Sequence, residues 1–157
     1  MERPYFPVFI DMTGRTVLIA GAGKIALRRV RTLLQFGACI RVIAPDICRE
    51  LEEMEAEGKL RTECRAYQPG DAQGAALVIA ATDSRETNRQ IWEDCRMAGI
   101  PVNVADDKDL CDFYFPSIVM TEEAVVGISS GGNDPGKTKE IRRKIEKTLG
   151  QNGWYEL

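Results

Sequence analysis

Four short stretches of this chain carry residues that could do chemistry. The first is Gly21-Ala-Gly23-Lys-Ile-Ala26, which follows the apolar run Thr16–Ala20 and precedes a helical pattern. Strand, glycine turn and helix in that order form the context in which Gly-x-Gly-x-x-Ala reads as a dinucleotide-binding fingerprint. Gly21 permits the tight turn, Gly23 has no Cβ to hold a pyrophosphate off the backbone, and Ala26 lets helix and strand pack closely. The helix-start amides then face the phosphates with the helix dipole behind them. The bland alternative is a strand-to-helix turn that needs glycine and binds nothing.

The second stretch is Pro45-Asp46. An acidic residue some 20 positions past the glycines is the usual ribose ligand, and Asp46 stands slightly late for it. Asp46 either binds the ribose or caps the following helix. No arginine pair follows to hold a 2′-phosphate, which favours NAD over NADP. The third is Asp106-Asp107, where a carboxylate could accept a proton; a solvated turn is the alternative, and Asp109 and Asp112 extend the same acidic run. The fourth is Ser129-Ser130-Gly131-Gly132, ahead of a helix carrying Lys137, Lys139, Arg142, Arg143, Lys144 and Lys147. Amides at a glycine break and a helix start make an anion site, and most of those cations fit a solvated helix face.

The chain has no histidine. That removes the commonest general base and metal ligand, and every Ser-His or Cys-His nucleophile pair. Acid–base chemistry falls to carboxylates, Lys, Tyr, Cys or the substrate. Cys39, Cys48, Cys64, Cys95 and Cys111 are scattered with no Cys-x-x-Cys pair, which points to reduced thiols, a cytoplasmic location and no metal site.

The elements that must position these residues alternate. Thr16–Ala20, Cys39–Ala44, Leu60–Tyr67, Leu77–Thr82 and Pro101–Ala105 read as strands, the third as an edge strand and the fourth as a central one. Helical spacing runs from Ile25 to Leu34, closed by Gly37. It recurs after Asp46 through Ile47, Leu51 and Met54, with Gly58 as the C-terminal stop. A third helix runs from a Ser84 cap to Met97, with Ile91, Trp92 and Cys95 inward and Gly99 at its end. This alternation predicts an α/β fold, a Rossmann-like doubly wound parallel sheet of order 3-2-1-4-5. Ligands then gather at the carboxyl ends, where Gly21–Ile25, Ala44–Asp46, Ala80–Asp83 (with Thr82) and Asn103–Asp106 lie.

Past Asp106 the pattern changes. Phe113–Met120 and Ala124–Ser130 read as a β-hairpin. Asp134 and Pro135 start a helix with a thin apolar stripe of Ile141, Ile145 and Leu149, and Gly150 ends it. The expected organisation is a Rossmann domain over residues 1–112, a hairpin-plus-helix appendage over 113–150 and a frayed tail over 151–157. An appendage that small buries little core alone, so it packs on the first domain or on a second copy; a homodimer through it is expected.

Composition bounds the rest. The 157 residues are 44% hydrophobic and 29% charged, ordinary globular values. A net charge of −3 gives no footprint for nucleic acid. No run approaches a membrane span, and the first residues lack the pattern of a signal peptide.

Taken together, four motifs resemble the precorrin-2 dehydrogenase family, including the dehydrogenase/ferrochelatase module of siroheme synthases. They are Val17–Ala26 with Arg28-Arg29, Leu77–Asp83 with Asn88, Val102–Asp107 running on to Cys111–Pro116, and Ile128–Gly132 with Pro135. The resemblance runs from Tyr5 to about Lys147. It implies NAD⁺-dependent oxidation of precorrin-2, an anionic tetrapyrrole, to sirohydrochlorin. It places NAD against Gly21, Gly23, Lys24, Ile25, Pro45, Asp46 and Thr82, with backbone supplying part of the grip. It implies Asp106 as the catalytic aspartate, Ser129, Ser130, Gly131 and Asn103 around the tetrapyrrole, and a dimer through the hairpin segment. Some members also insert iron, so a bifunctional dehydrogenase–chelatase is one alternative. A non-enzymatic NAD-sensing Rossmann regulator is another. Fuller members continue past the last helix into a segment that helps cover the cleft.

Overall fold

The computed structural model describes residues 5–131 and 134–149. The chain forms two compact units. One is Ile10–Phe113; the described part of the other is residues 5–9, 114–131 and 134–149.

The first unit is a five-stranded parallel sheet of order β3-β2-β1-β4-β5, as the alternation predicts. Its strands are β1 (Thr16–Ala20), β2 (Cys39–Ala44), β3 (Leu60–Cys64), β4 (Leu77–Ala80) and β5 (Val102–Val104), with α1 (Lys24–Leu34), α2 (Arg49–Ala56) and α3 (Arg85–Ala98) between them. The central strands read as continuous apolar runs because both faces of a parallel sheet are covered. Val17, Leu18, Ile19, Ala20, Val78, Ile79 and Ala80 are all at most 1% exposed. On α1, Ala26, Val30 and Leu33 face the sheet, and on α3 Ile91 and Cys95 do.

Local signals set most boundaries. Ser84 caps α3, accepting from the Thr87 amide at 3.2 Å, and Gly99 closes it. The expected cap at Asp46 is not made: α2 starts at Arg49 behind Cys48, whose carbonyl accepts from Leu51 and Glu52. Leu51 is fully buried, and its burial together with Glu50 and Glu52 in the first turn registers this helix, leaving Asp46 exposed in the preceding bend. β3 is shorter than expected and ends at Cys64. From there Arg65 turns into an ion-pair network, donating to both Asp71 carboxylate oxygens at 2.7 Å and to Glu63 at 2.6 and 2.9 Å. Arg41 joins from β2, bonding Glu63 and the Asp71 carbonyl. The network ties the loop before β4 to the β2–β3 edge.

In the second unit β6 (Ser117–Met120) and β7 (Val125–Ile128) form an antiparallel hairpin, and α4 (Pro135–Thr148) is capped by Asp134, which accepts from Lys137 at 2.8 Å. Residues 5–9, placed by the sequence with the Rossmann domain, group here; Tyr5 meets Tyr114 edge-on at 4.7 Å and donates to its hydroxyl at 3.2 Å. Gly132 of the anion-site motif, Gly150 and the tail 151–157 lie outside the described residues.

Candidate functional site

At the carboxyl edge of the sheet, β1, β4 and β5 finish level: Ala20 pairs with Ala80, and Ala80 with Val104. The next amides step across in the same order, Ala81 donating to Ala20 and Ala105 to Ala80. The chain leading to Asp106 therefore runs two strand spacings, about 10 Å, from the glycine turn.

The two glycines of that turn differ. Gly21 has φ +108°, and a Cβ there would overlap the Ala81 carbonyl oxygen and stand 2.6 Å from its carbon. The fold itself demands glycine. Gly23 has φ −80° and ψ −172°, open to any residue, and no atom lies within 4 Å of where its Cβ would be. Among the described residues no packing contact explains a glycine there. Gly23 is the N-cap of α1, and that helix has neither a side-chain cap nor an acidic residue in its first turn. By contrast α3 and α4 are capped by side chains, and α2 carries acids. The first-turn amides, with exposed Lys24 and Ile25, are thus left for an anion. These observations fit a dinucleotide pyrophosphate. Pro45 and Asp46 are exposed just past β2, on the opposite side of β1 from β4.

Thr82 follows β4, and its contacts lead to the acid. Its amide and hydroxyl both donate to Asn88 Oδ1, at 3.0 and 2.8 Å. Asn88 Nδ2 donates to the Thr82 carbonyl at 3.1 Å and to Asp106 Oδ1 at 2.9 Å. Asn88 is 1% exposed, whereas Asp106 is open to solvent. Asp106 lines a hollow of about 360 Å³ with Asn88, Arg85, Arg89, Val104, Asp107 and Leu110. Arg85 lies 3.4 Å from Asp107, which itself caps the short 3-10 turn Lys108–Leu110.

Asn103 is buried. Its Nδ2 donates to the Phe113 carbonyl at 2.8 Å and to Cys111 Sγ at 3.4 Å, so this amide holds the loop that carries Asp106. Cys111 is pinned further by Val104, and burial pushes its thiol up. Arg29 on α1 is brought down to about 10, mainly by burial and then by Arg28.

Ser129, Ser130 and Gly131 belong to the second unit. Ser129 Oγ accepts from the Gly131 amide, and Ser130 Oγ both donates to the Asp134 carbonyl and accepts from its amide, each at 3.1 Å. Those hydroxyls shape the turn into α4.

Asn88 and Arg85 were not singled out as site residues by sequence reasoning. The signal for Asn88 was present: it lies three residues before Ile91 and seven before Cys95, so an amide sits on the apolar stripe of α3. Among the described residues no three His, Cys, Asp or Glu side chains cluster to hold a metal.

This sheet edge, with its open glycine turn, defines a dinucleotide-binding Rossmann protein. A family model described as putative NAD(P)-binding matches residues 8–117, and the chain belongs to that family. It is 41% identical over 145 residues to the siroheme synthase of Photorhabdus laumondii, covering 92% of this chain and 31% of the relative. The siroheme synthase of Stutzerimonas stutzeri is 44% identical over 142 residues, covering 90% and 30%. A probable multifunctional siroheme biosynthesis protein of Ruminiclostridium josui is 42% identical over 147 residues, covering 93% and 28%. The chain thus spans about a third of the length of these curated relatives. A solved structure titled SirC, precorrin-2 dehydrogenase superposes with a TM-score of 0.75 at 29% identity, covering 92% of this chain and 71% of that one. The resemblance carried by the four motifs is borne out. No helix among the described residues is long and apolar enough to cross a membrane.

Proposed function

We propose that this chain oxidises precorrin-2 to sirohydrochlorin with NAD⁺, as a step of siroheme biosynthesis. One observation carries the reading: an open glycine turn and a carboxylate anchored by a buried amide stand on the same edge of the sheet, two strands apart. The names of the relatives supply the substrate.

Gly21, Gly23 and the Lys24 and Ile25 amides hold the pyrophosphate. Pro45 and Asp46 would meet the adenosine half, and Thr82, past the switch point between β1 and β4, would serve the other. NAD⁺ supplies a hydride acceptor there. Oxidation removes two electrons and two protons from the macrocycle: both electrons leave with one proton as hydride, and the second proton leaves separately. Asp106 Oδ2 takes that proton, because Oδ1 is already bonded to Asn88. Arg85 and Arg89 offer charge to the substrate carboxylates. Asn103 acts by holding the Asp106 loop. A nucleotide sensor would require neither Asp106 nor its amide partner beside a hollow.

The chain works as a homodimer in this reading. Val119 is the one buried apolar side chain among the described residues of the second unit, while Phe6, Val8, Phe9, Ile141 and Leu149 are exposed. A hairpin and helix with that little core need a partner surface, and a second copy supplies one.

The test is anaerobic incubation of the chain with precorrin-2 and NAD⁺, followed by NADH absorbance and by the spectrum of the tetrapyrrole. NADH and sirohydrochlorin appearing in equal amounts support the reading. Nucleotide binding without either product overturns it.

A further inference from the structure

We propose that Asn88 is the positioning residue of this site, a buried clasp that fixes the orientation of the Asp106 carboxylate and locks it to the loop under the cofactor. The proposal rests on the reading of Asp106 as proton acceptor.

Asn88 stands in the first turns of α3 and is 1% exposed. Asparagine is a poor helix former, and an amide on the buried stripe needs partners for all its polar atoms. It has them, and they come from two different loops. Oδ1 accepts the Thr82 amide and hydroxyl, at 3.0 and 2.8 Å, after β4. Nδ2 donates to the Thr82 carbonyl at 3.1 Å and to Asp106 Oδ1 at 2.9 Å, after β5. Each hydrogen of the amide has one acceptor. The amide plane therefore cannot rotate without breaking bonds on both sides, and flipping it would set oxygen against carboxylate.

The consequence for Asp106 is directional. The carboxylate is exposed on a loop, and the bond from Asn88 favours one of its rotamers. With Oδ1 held, Oδ2 is the oxygen left to a substrate in the hollow. Thr82 lies on the cofactor side of the same clasp, so the acid and the cofactor-side loop keep one spacing. Misplacing a reacting group by about 1 Å can cost a hundredfold in rate. No other residue type reproduces the set: aspartate loses both donors, leucine loses everything, and glutamine places its amide one carbon too far.

Two variants of the full chain test this. Asn88→Asp is isosteric and still accepts from Thr82, but sets a second carboxylate against Asp106. Asn88→Ala removes the clasp. Both are expected to lower kcat by about ten- to a hundredfold, and Asn88→Asp, which keeps an acceptor for the Thr82 amide and hydroxyl, is expected to hold the NAD⁺ dissociation constant within about twofold of the parent. Because Arg85, Glu86, Arg89 and Asp107 line the same hollow, the pH profile of kcat is compared with the parent as well. A displaced profile in Asn88→Asp supports a direct action on the acid. An amide NMR arm needs no substrate: Asp106→Asn is expected to shift both the Asn88 side-chain amide and the Thr82 backbone amide. Unchanged kcat in folded Asn88→Asp overturns the proposal. So does a parallel fall of kcat, NAD⁺ affinity and melting temperature in both variants, which marks a merely structural amide. A parent chain with no turnover sinks the functional reading instead, and the NMR arm then decides the clasp alone.

Discussion

Replacing each glycine of the β1–α1 turn by alanine separates what the fold requires from what the ligand requires. At Gly21 the added methyl overlaps the Ala81 carbonyl, and φ is +108°, outside the reach of ordinary side chains. Backbone strain of about 1–3 kcal/mol adds to overpacking of about 1–3 kcal/mol. A central value near 4 kcal/mol is a large part of the roughly 5–15 kcal/mol that holds a domain together. At about 2–4 °C per kcal/mol it lowers the melting temperature by about 10 °C. At Gly23 φ is −80° and nothing lies within 4 Å of the new methyl. Stability there changes by at most about 1 kcal/mol. The methyl instead occupies the space assigned to the pyrophosphate, and overpacking of about 1.4–2.8 kcal/mol weakens NAD⁺ ten- to a hundredfold. Thermal melts of both variants and calorimetric NAD⁺ titration of Gly23→Ala give the answer. If Gly23→Ala binds NAD⁺ like the parent, the open space beside α1 is not the phosphate cradle and the assignment fails.

Asp106→Asn keeps the bond from Asn88, so NAD⁺ affinity is expected to hold while turnover falls by about a hundredfold or more; full turnover in a steady-state assay removes the base assignment. The Asp71 carboxyl is held below its ordinary value chiefly by hydrogen bonds from Arg65. Its contribution to stability is therefore full above the ordinary carboxylate value of about 3.9 and is lost as pH falls through the lowered folded value. Urea titration is expected to find Asp71→Asn less stable than the parent near neutrality, with the gap closing in acid. Ile141→Glu places a charge on the exposed stripe of α4. Sedimentation velocity is expected to show a dimeric parent and a monomeric variant with unchanged helix content; a parent that sediments as a monomer rules out the dimer.

Much of the fold was legible because its signals are local. Contiguous apolar strands, Ser84 before α3, Asp134 before α4 and the glycines past helix ends each act within a few residues. Asp46 misled because two features competed: a capping residue type lay close to a helix start, while Leu51 burial set the register farther on. Strand ends were overrun where tertiary bonds cut in, as Arg65 does after Cys64. Within the site, Gly21 could be read from its turn, but the open space at Gly23 depends on what surrounds it. Asn88 meets Asp106 across 18 positions of sequence, a pairing that no periodicity encodes.

The second unit draws on both flanks of the first, with Tyr5 bonded to Tyr114 across 109 positions. Ile10–Phe113, by contrast, is one uninterrupted stretch. During synthesis the parallel sheet can therefore close while the hairpin is still inside the ribosome, and Tyr5 must wait for Tyr114 to emerge.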